Sequence, residues 1–202
     1  MSRRNQAESR SPGDAPADAK ALTDAAPAGG VSGMDPMLEA KLWRNPCWLA
    51  FRVNYLALRY NGPLYDWVRR KYGLSRPEYV VIYSLALSGG GRARDITRTS
   101  GFPKNTLSRA ITRLESLGLI LRSRAAGQGR NQPLNLSETG RALFDESLPI
   151  FVEHERAMLS GLTEEERATL SRLMAKVVLS ADDWPNEITD DAPSTGQSGE
   201  TR

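Results

Sequence analysis

Between positions 92 and 136 the chain packs four local signals into one short stretch, and their order leaves few folds open. A short helix signal over 93–99 turns Ile96 inward, Gly101 permits a sharp turn, and Pro103 stands where a helix tolerates proline, at its first position. A helix over 103–117 then sets Leu107, Ala110, Ile111 and Leu114 at i, i+3, i+4 and i+7, a single inward stripe. Asn105, Ser108, Arg109, Thr112, Arg113 and Ser116 fall on the opposite face, and Gly118 suits the helix end. Beyond it, 119–123 and 133–136 alternate like strands. They are joined by 124–132, where Gly127 and Gly129 can take positive φ. The reading is a mostly α chain built on a winged helix-turn-helix with a small β-hairpin wing.

Charge sharpens that reading. Arg92, Arg94, Arg98, Lys104, Arg109, Arg113, Arg122, Arg124 and Arg130 face only Asp95 and Glu115, a local excess of +7 in a chain whose net charge is +3. The remainder therefore carries −4. A positive field gathered on one compact unit is the footprint of a surface that binds a polyanion. A helix entering a major groove needs short polar side chains near its N-terminus for phosphates and longer donors along its outer face for base edges. Lys104, Asn105, Thr106, Ser108, Arg109, Thr112 and Arg113 meet that need, with Asn105 and Arg109 as first candidates for base readout. Arg122, Arg124 and Arg130 would flank the duplex from the wing.

The 202 residues allow one domain with tails. Residues 1–34 are poor in large apolar side chains and read as a disordered arm, 37–183 as the folded domain, and 185–202 as a disordered tail. A single cysteine requires no oxidising compartment, the N-terminal arm lacks the apolar core of a secretory signal, and the longest apolar run is too short to span a bilayer. The cytoplasm is the expected location, with no membrane partner.

Over 42–72 large apolar residues from Trp48 to Val68 cover more than one side of a helix, which must then be buried from more than one direction. Gly62-Pro63 is expected to kink or divide it. A second helix follows over 76–88, with Pro77 in its first turn and Gly89-Gly90-Gly91 ending it. A helix over 138–160 carries Phe144, Leu148 and Phe151 and is expected to bend at Pro149. A last helix opens with Thr163 and Glu166 in capping-box spacing and is expected to bury Leu170, Leu173, Met174, Val177 and Val178.

The run from Asn105 to Ile120 (NTLSRAITRLESLGLI), followed after the wing by Leu136-Ser-Glu-Thr-Gly140, resembles the MarR family of bacterial transcriptional regulators over 42–183. The resemblance implies N- and C-terminal helices that intertwine in a homodimer, binding to a double-stranded DNA operator, commonly as a repressor, and release on binding a small, often aromatic, effector. The family's wing commonly carries Asp two residues before a key Arg; here Arg130 matches the Arg, and Gln128 stands in place of the acid.

Aromatic residues of the first helices offer an effector pocket, with Trp48, Phe51, Arg52, Tyr55, Arg59 and Tyr83 as its lining and an arginine to pair a carboxylate; dimer core is the plainer reading of the same stripe. Cys47 reads either as a buried thiol between Trp43 and Trp48 or as a redox switch, since a peroxide-sensing branch of the family keeps a cysteine near this place and Pro63-Leu64 fits its spacing. Catalysis has little to draw on: His154 is the single histidine, on a helix between two glutamates, and neither a triad, a metal-ligand spacing nor a phosphate loop is present. No enzyme and no cofactor are expected. The competing class is a winged-helix module for protein interaction or dimerisation without specific DNA binding.

Overall fold

The computed structural model describes residues 33–123, 132–185 and 187. Helices α1 (Pro36–Trp43), α2 (Trp48–Tyr72), α3 (Arg76–Ser88), α4 (Ala93–Ser100) and α5 (Lys104–Ser116) are followed by strands β1 (Ile120–Arg122) and β2 (Leu134–Leu136). Helices α6 (Glu138–Met158) and α7 (Glu164–Leu179) and a single 3-10 turn complete the order. The chain divides into two compact units at His154/Glu155.

In the first unit, α3 supplies the centre. Tyr79, Val81, Ile82 and Leu85 are fully or nearly fully buried, and they pack against the stripe of α5, where Leu107, Ala110, Ile111 and Leu114 are also buried. Phe144 and Phe151 of α6 close the core, with the Phe151 ring stacked on Tyr79 at 4.8 Å between centroids. The Tyr79 hydroxyl shares a 2.7 Å hydrogen bond with the buried Ser147 hydroxyl, so both buried hydroxyls are satisfied.

The strands pair antiparallel, Ile120 with Leu136 and Arg122 with Leu134. Leu134 also exchanges hydrogen bonds with Gly91, 2.9 Å and 2.7 Å, so the loop after α3 forms a third rung of the sheet. The triple glycine therefore does more than end a helix: Gly89 caps α3 in the left-handed region at φ 66°, and Gly91 then joins the sheet. Gly140 sets the other side. A Cβ there would lie 2.1 Å from the Leu119 carbonyl oxygen, so only glycine lets the first turn of α6 close onto the root of the wing.

Two sequence expectations change here. Pro63 does not divide its helix: it lies inside an uninterrupted α2, and the chain breaks instead at 44–47, between α1 and α2. Proline costs the helix one amide donor and crowds the carbonyl four residues back, but its further clash with the Cβ of the preceding residue is absent, because that residue is Gly62. In the second unit, α7 opens with the expected capping box, Glu166 N–H donating to Thr163 Oγ1 and Thr163 N–H to the Glu166 carboxylate. Its apolar stripe, however, is not buried by its own chain: Leu170, Leu173, Met174 and Val178 are exposed, and Val177 is half-buried.

Candidate nucleic-acid interface

The buried stripe of α5 fixes what its other face shows. Lys104, Asn105, Ser108, Arg109, Thr112 and Arg113 are all exposed, and Thr106 is half-buried. The turn before the helix is set by Gly101 at φ 71°, and Phe102 is held there by the Arg76 guanidinium, 5.4 Å from its ring centre. Arg94 and Thr97 of α4 and Arg122 of β1 line one cleft with Lys104, Ser108 and Thr112. Arg94 and Thr97 are thus neighbours of the candidate reading face that the sequence did not single out. Their signal was available, since both precede the turn on the side of α4 away from Ile96.

The donors on this surface fall into two sets. Lys104, Asn105, Ser108 and Arg109 have side chains with no hydrogen-bond or ion-pair partner among the described residues, so their donors point to solvent. Arg113 and Arg122 are engaged. Arg113 Nη1 donates to both carboxylate oxygens of Glu78, at 2.9 and 3.0 Å, and Nη2 donates to the Gly73 carbonyl at 3.1 Å. Arg122 grips Glu115, Nε to Oε1 at 2.5 Å and Nη2 to Oε2 at 2.9 Å, tying the end of α5 to the wing root. Thr112 donates its hydroxyl proton to the Ser108 carbonyl at 3.0 Å, so in this rotamer it has no proton left to donate to a phosphate oxygen. Arg124 and Arg130, and with them Gln128, lie outside the described residues.

Of the six residues expected to line an effector pocket, Trp48 meets Arg52 and Phe51 meets Tyr55, while Tyr83 packs on the core. Arg52 lies 4.8 Å from the Trp48 ring and 5.4 Å from the Trp43 ring and donates to the Leu42 carbonyl, so it clamps α1 to α2. Phe51 packs on Tyr55, and Arg59 is exposed on α2. Tyr83 belongs to the core, against Tyr79, Phe144 and Phe151. The depression that does form lies along α2 between Asn54 and Asp66, with Tyr65 on its wall and Arg76 stacked over Tyr65 at 5.3 Å. Cys47 is exposed, not buried between the tryptophans: it is the N-cap residue of α2, and its amide donates to Asn45 Oδ1. The His154 ring packs beside Tyr60, with centroids 5.3 Å apart. Among the described residues no helix is long and apolar enough to cross a membrane.

Comparison with known proteins follows the same lines. The sequence profile of the MarR family matches residues 72–131, the segment from the end of α2 to the wing. The HTH-type transcriptional regulator PecS of Dickeya dadantii (strain 3937) is 31% identical over 115 residues, covering 55% of this chain and 69% of PecS. A MarR-family regulator of Listeria monocytogenes solved with a 26mer DNA superposes with a TM-score of 0.61 at 22% identity, over 66% of this chain and 89% of that one. NadR in complex with 4-hydroxyphenylacetate gives 0.55 at 21% identity, over 66% and 95%.

Proposed function

From the premise that this chain belongs to the MarR family of DNA-binding transcriptional regulators, we propose that it is a ligand-responsive repressor that binds a pseudo-palindromic operator as a homodimer. The observation that carries the proposal is the face of α5: unpaired donors at Lys104, Asn105, Ser108 and Arg109, on a helix whose opposite stripe is locked into the core. Two copies would place two such helices in successive major grooves about 34–36 Å apart. Lys104, Thr106 and Ser108 hold phosphates near the helix N-terminus, and Asn105 and Arg109 reach adenine and guanine edges. Arg124 and Arg130 extend the grip from the wing.

Dimerisation is supported by the apolar side chains left exposed on α2, α6 and α7, among them Leu56, Leu58, Val152, Leu173 and Leu179. The effector is a small aromatic acid, a class to which the 4-hydroxyphenylacetate bound by NadR belongs. The depression walled by Tyr65 and Arg76 suits it, because the exposed Arg76 guanidinium can pair a carboxylate beside an aromatic face.

Selection of bound fragments from the source genome, followed by titration at several salt concentrations, tests the reading. The expected result is an enriched inverted repeat whose affinity falls steeply with salt as phosphate counterions are released. Fragments without a shared repeat would favour a winged-helix interaction module.

A further inference from the structure

Arg113 stands on α5 one turn beyond Arg109, so from sequence alone the two look alike. Their surroundings differ. Glu78 is buried, with its side chain only 6% exposed, and its carboxylate accepts two hydrogen bonds from Arg113 and a third, at 2.7 Å, from the Ser75 amide at the start of α3. The remaining arm of the same guanidinium donates to the carbonyl of Gly73, the residue that caps α2. One planar group thus ties three helix ends together: the C-cap of α2, the first turn of α3 and the last turn of α5.

Resting on the operator-binding reading above, we propose that Arg113 and Glu78 form a positioning latch that sets the pose of the reading helix, and that Arg113 makes no contact with DNA. The geometry argues for this role over a phosphate contact. Withdrawing the guanidinium to reach a phosphate would strand a buried carboxylate and free the Gly73 carbonyl. The fork also suits arginine specifically. Three acceptors on two residues are met by two nitrogens of one guanidinium, which the point charge of lysine does not reproduce. The latch lies beside Arg109 and Thr106, which share a shallow depression with Ser75, Glu78 and Arg113. A shift of α5 by an ångström would therefore fall directly on the residue assigned to base readout. It also joins α2, which carries the depression beside Arg76, to α5 through a single set of hydrogen bonds.

The variants Glu78→Gln, Arg113→Lys, Arg113→Met and the double variant E78Q/R113M separate the alternatives, measured in the full-length protein on the selected operator and on a random duplex. Glu78→Gln removes a negative charge, so electrostatics alone would tighten DNA binding. The latch instead predicts a loss of operator affinity of roughly tenfold. It predicts a similar loss in Arg113→Lys although the charge is kept, and no further loss in the double variant. The salt slope stays that of the wild type, whereas loss of a phosphate contact lowers it by about 1.

Wild-type operator affinity in Glu78→Gln, or a lowered salt slope with equal losses on both duplexes in Arg113→Met, overturns the proposal. Amide hydrogen exchange on the DNA-free protein decides the same point independently. Faster exchange at Ser75 and in the first turns of α3 and α5 in Glu78→Gln and Arg113→Met supports the latch, and unchanged exchange overturns it. If the wild type selects no repeat at all, the operator reading fails while the exchange result still judges the latch.

Discussion

Single atoms set the tolerances of this molecule at Gly140 and Tyr79. Helix propensity alone would favour alanine at position 140 by about 1 kcal/mol. The Cβ would meet backbone, the Leu119 carbonyl, which cannot rotate away. Gly140→Ala is therefore expected to destabilise by roughly 1–3 kcal/mol in urea unfolding; a raised midpoint would contradict the packing described for α6 and the wing root. Burial holds the Tyr79 phenol protonated and pushes its pKa from 10.0 to about 12. A pKa raised on folding contributes stability that is complete below the unfolded value and is lost as pH rises through the folded one. Melting temperature should accordingly fall between about pH 10 and pH 12. Tyr79→Phe should decline less over that interval, after an initial cost of about 1 kcal/mol for the Ser147 hydrogen bond. Burial also raises Tyr65 and Tyr72, so some decline remains in the variant. An identical slope in both proteins would show that Tyr79 titrates as it does when unfolded.

Elements were legible in the sequence where a local rule governs them. The inward stripe of α5, the turn at Gly101, the strands on either side of the wing and the Thr163–Glu166 capping box all follow from spacing within a few residues. The interactions that the sequence does not show share a cause: they depend on what lies across the fold. Arg113 and Arg122 have the composition of DNA contacts, but Glu78 is 35 positions from Arg113 in the chain. Glu115 offsets the basic run in the charge balance, and nothing in the sequence marks it as the partner of Arg122. Tyr83 lies on the core side of α3, which its aromatic character did not reveal. The stripe of α7 is apolar in the sequence, yet its spacing does not say that its own chain leaves it uncovered. That stripe makes an element-scale prediction. Leu170→Glu with Leu173→Glu, both exposed in one chain, should convert a dimer to a monomer in light scattering. A dimer of unchanged mass would place the interface elsewhere.

At the scale of the whole molecule, the winged unit presents a few donors with no partner among the described residues. Two ion pairs, Arg113 with Glu78 and Arg122 with Glu115, tie α5 to α3 and to β1. The concentrated positive charge first visible in the sequence is thereby divided between groups that build the surface and groups left to use it. Lys104, Asn105, Ser108 and Arg109 belong to the second set. Arg109 tests that division most directly, since it is exposed, makes no ion pair among the described residues, and can be truncated without opening the core. The decisive measurement is the affinity of Arg109→Ala, against the wild type, for the selected operator, for its single-base variants and for a random duplex. The expected result is a loss of about 1–3 kcal/mol on the operator with relaxed preference at one base position, and little change on random DNA. An equal loss on every duplex would make Arg109 a phosphate contact and contradict the assignment of α5's free face to base readout.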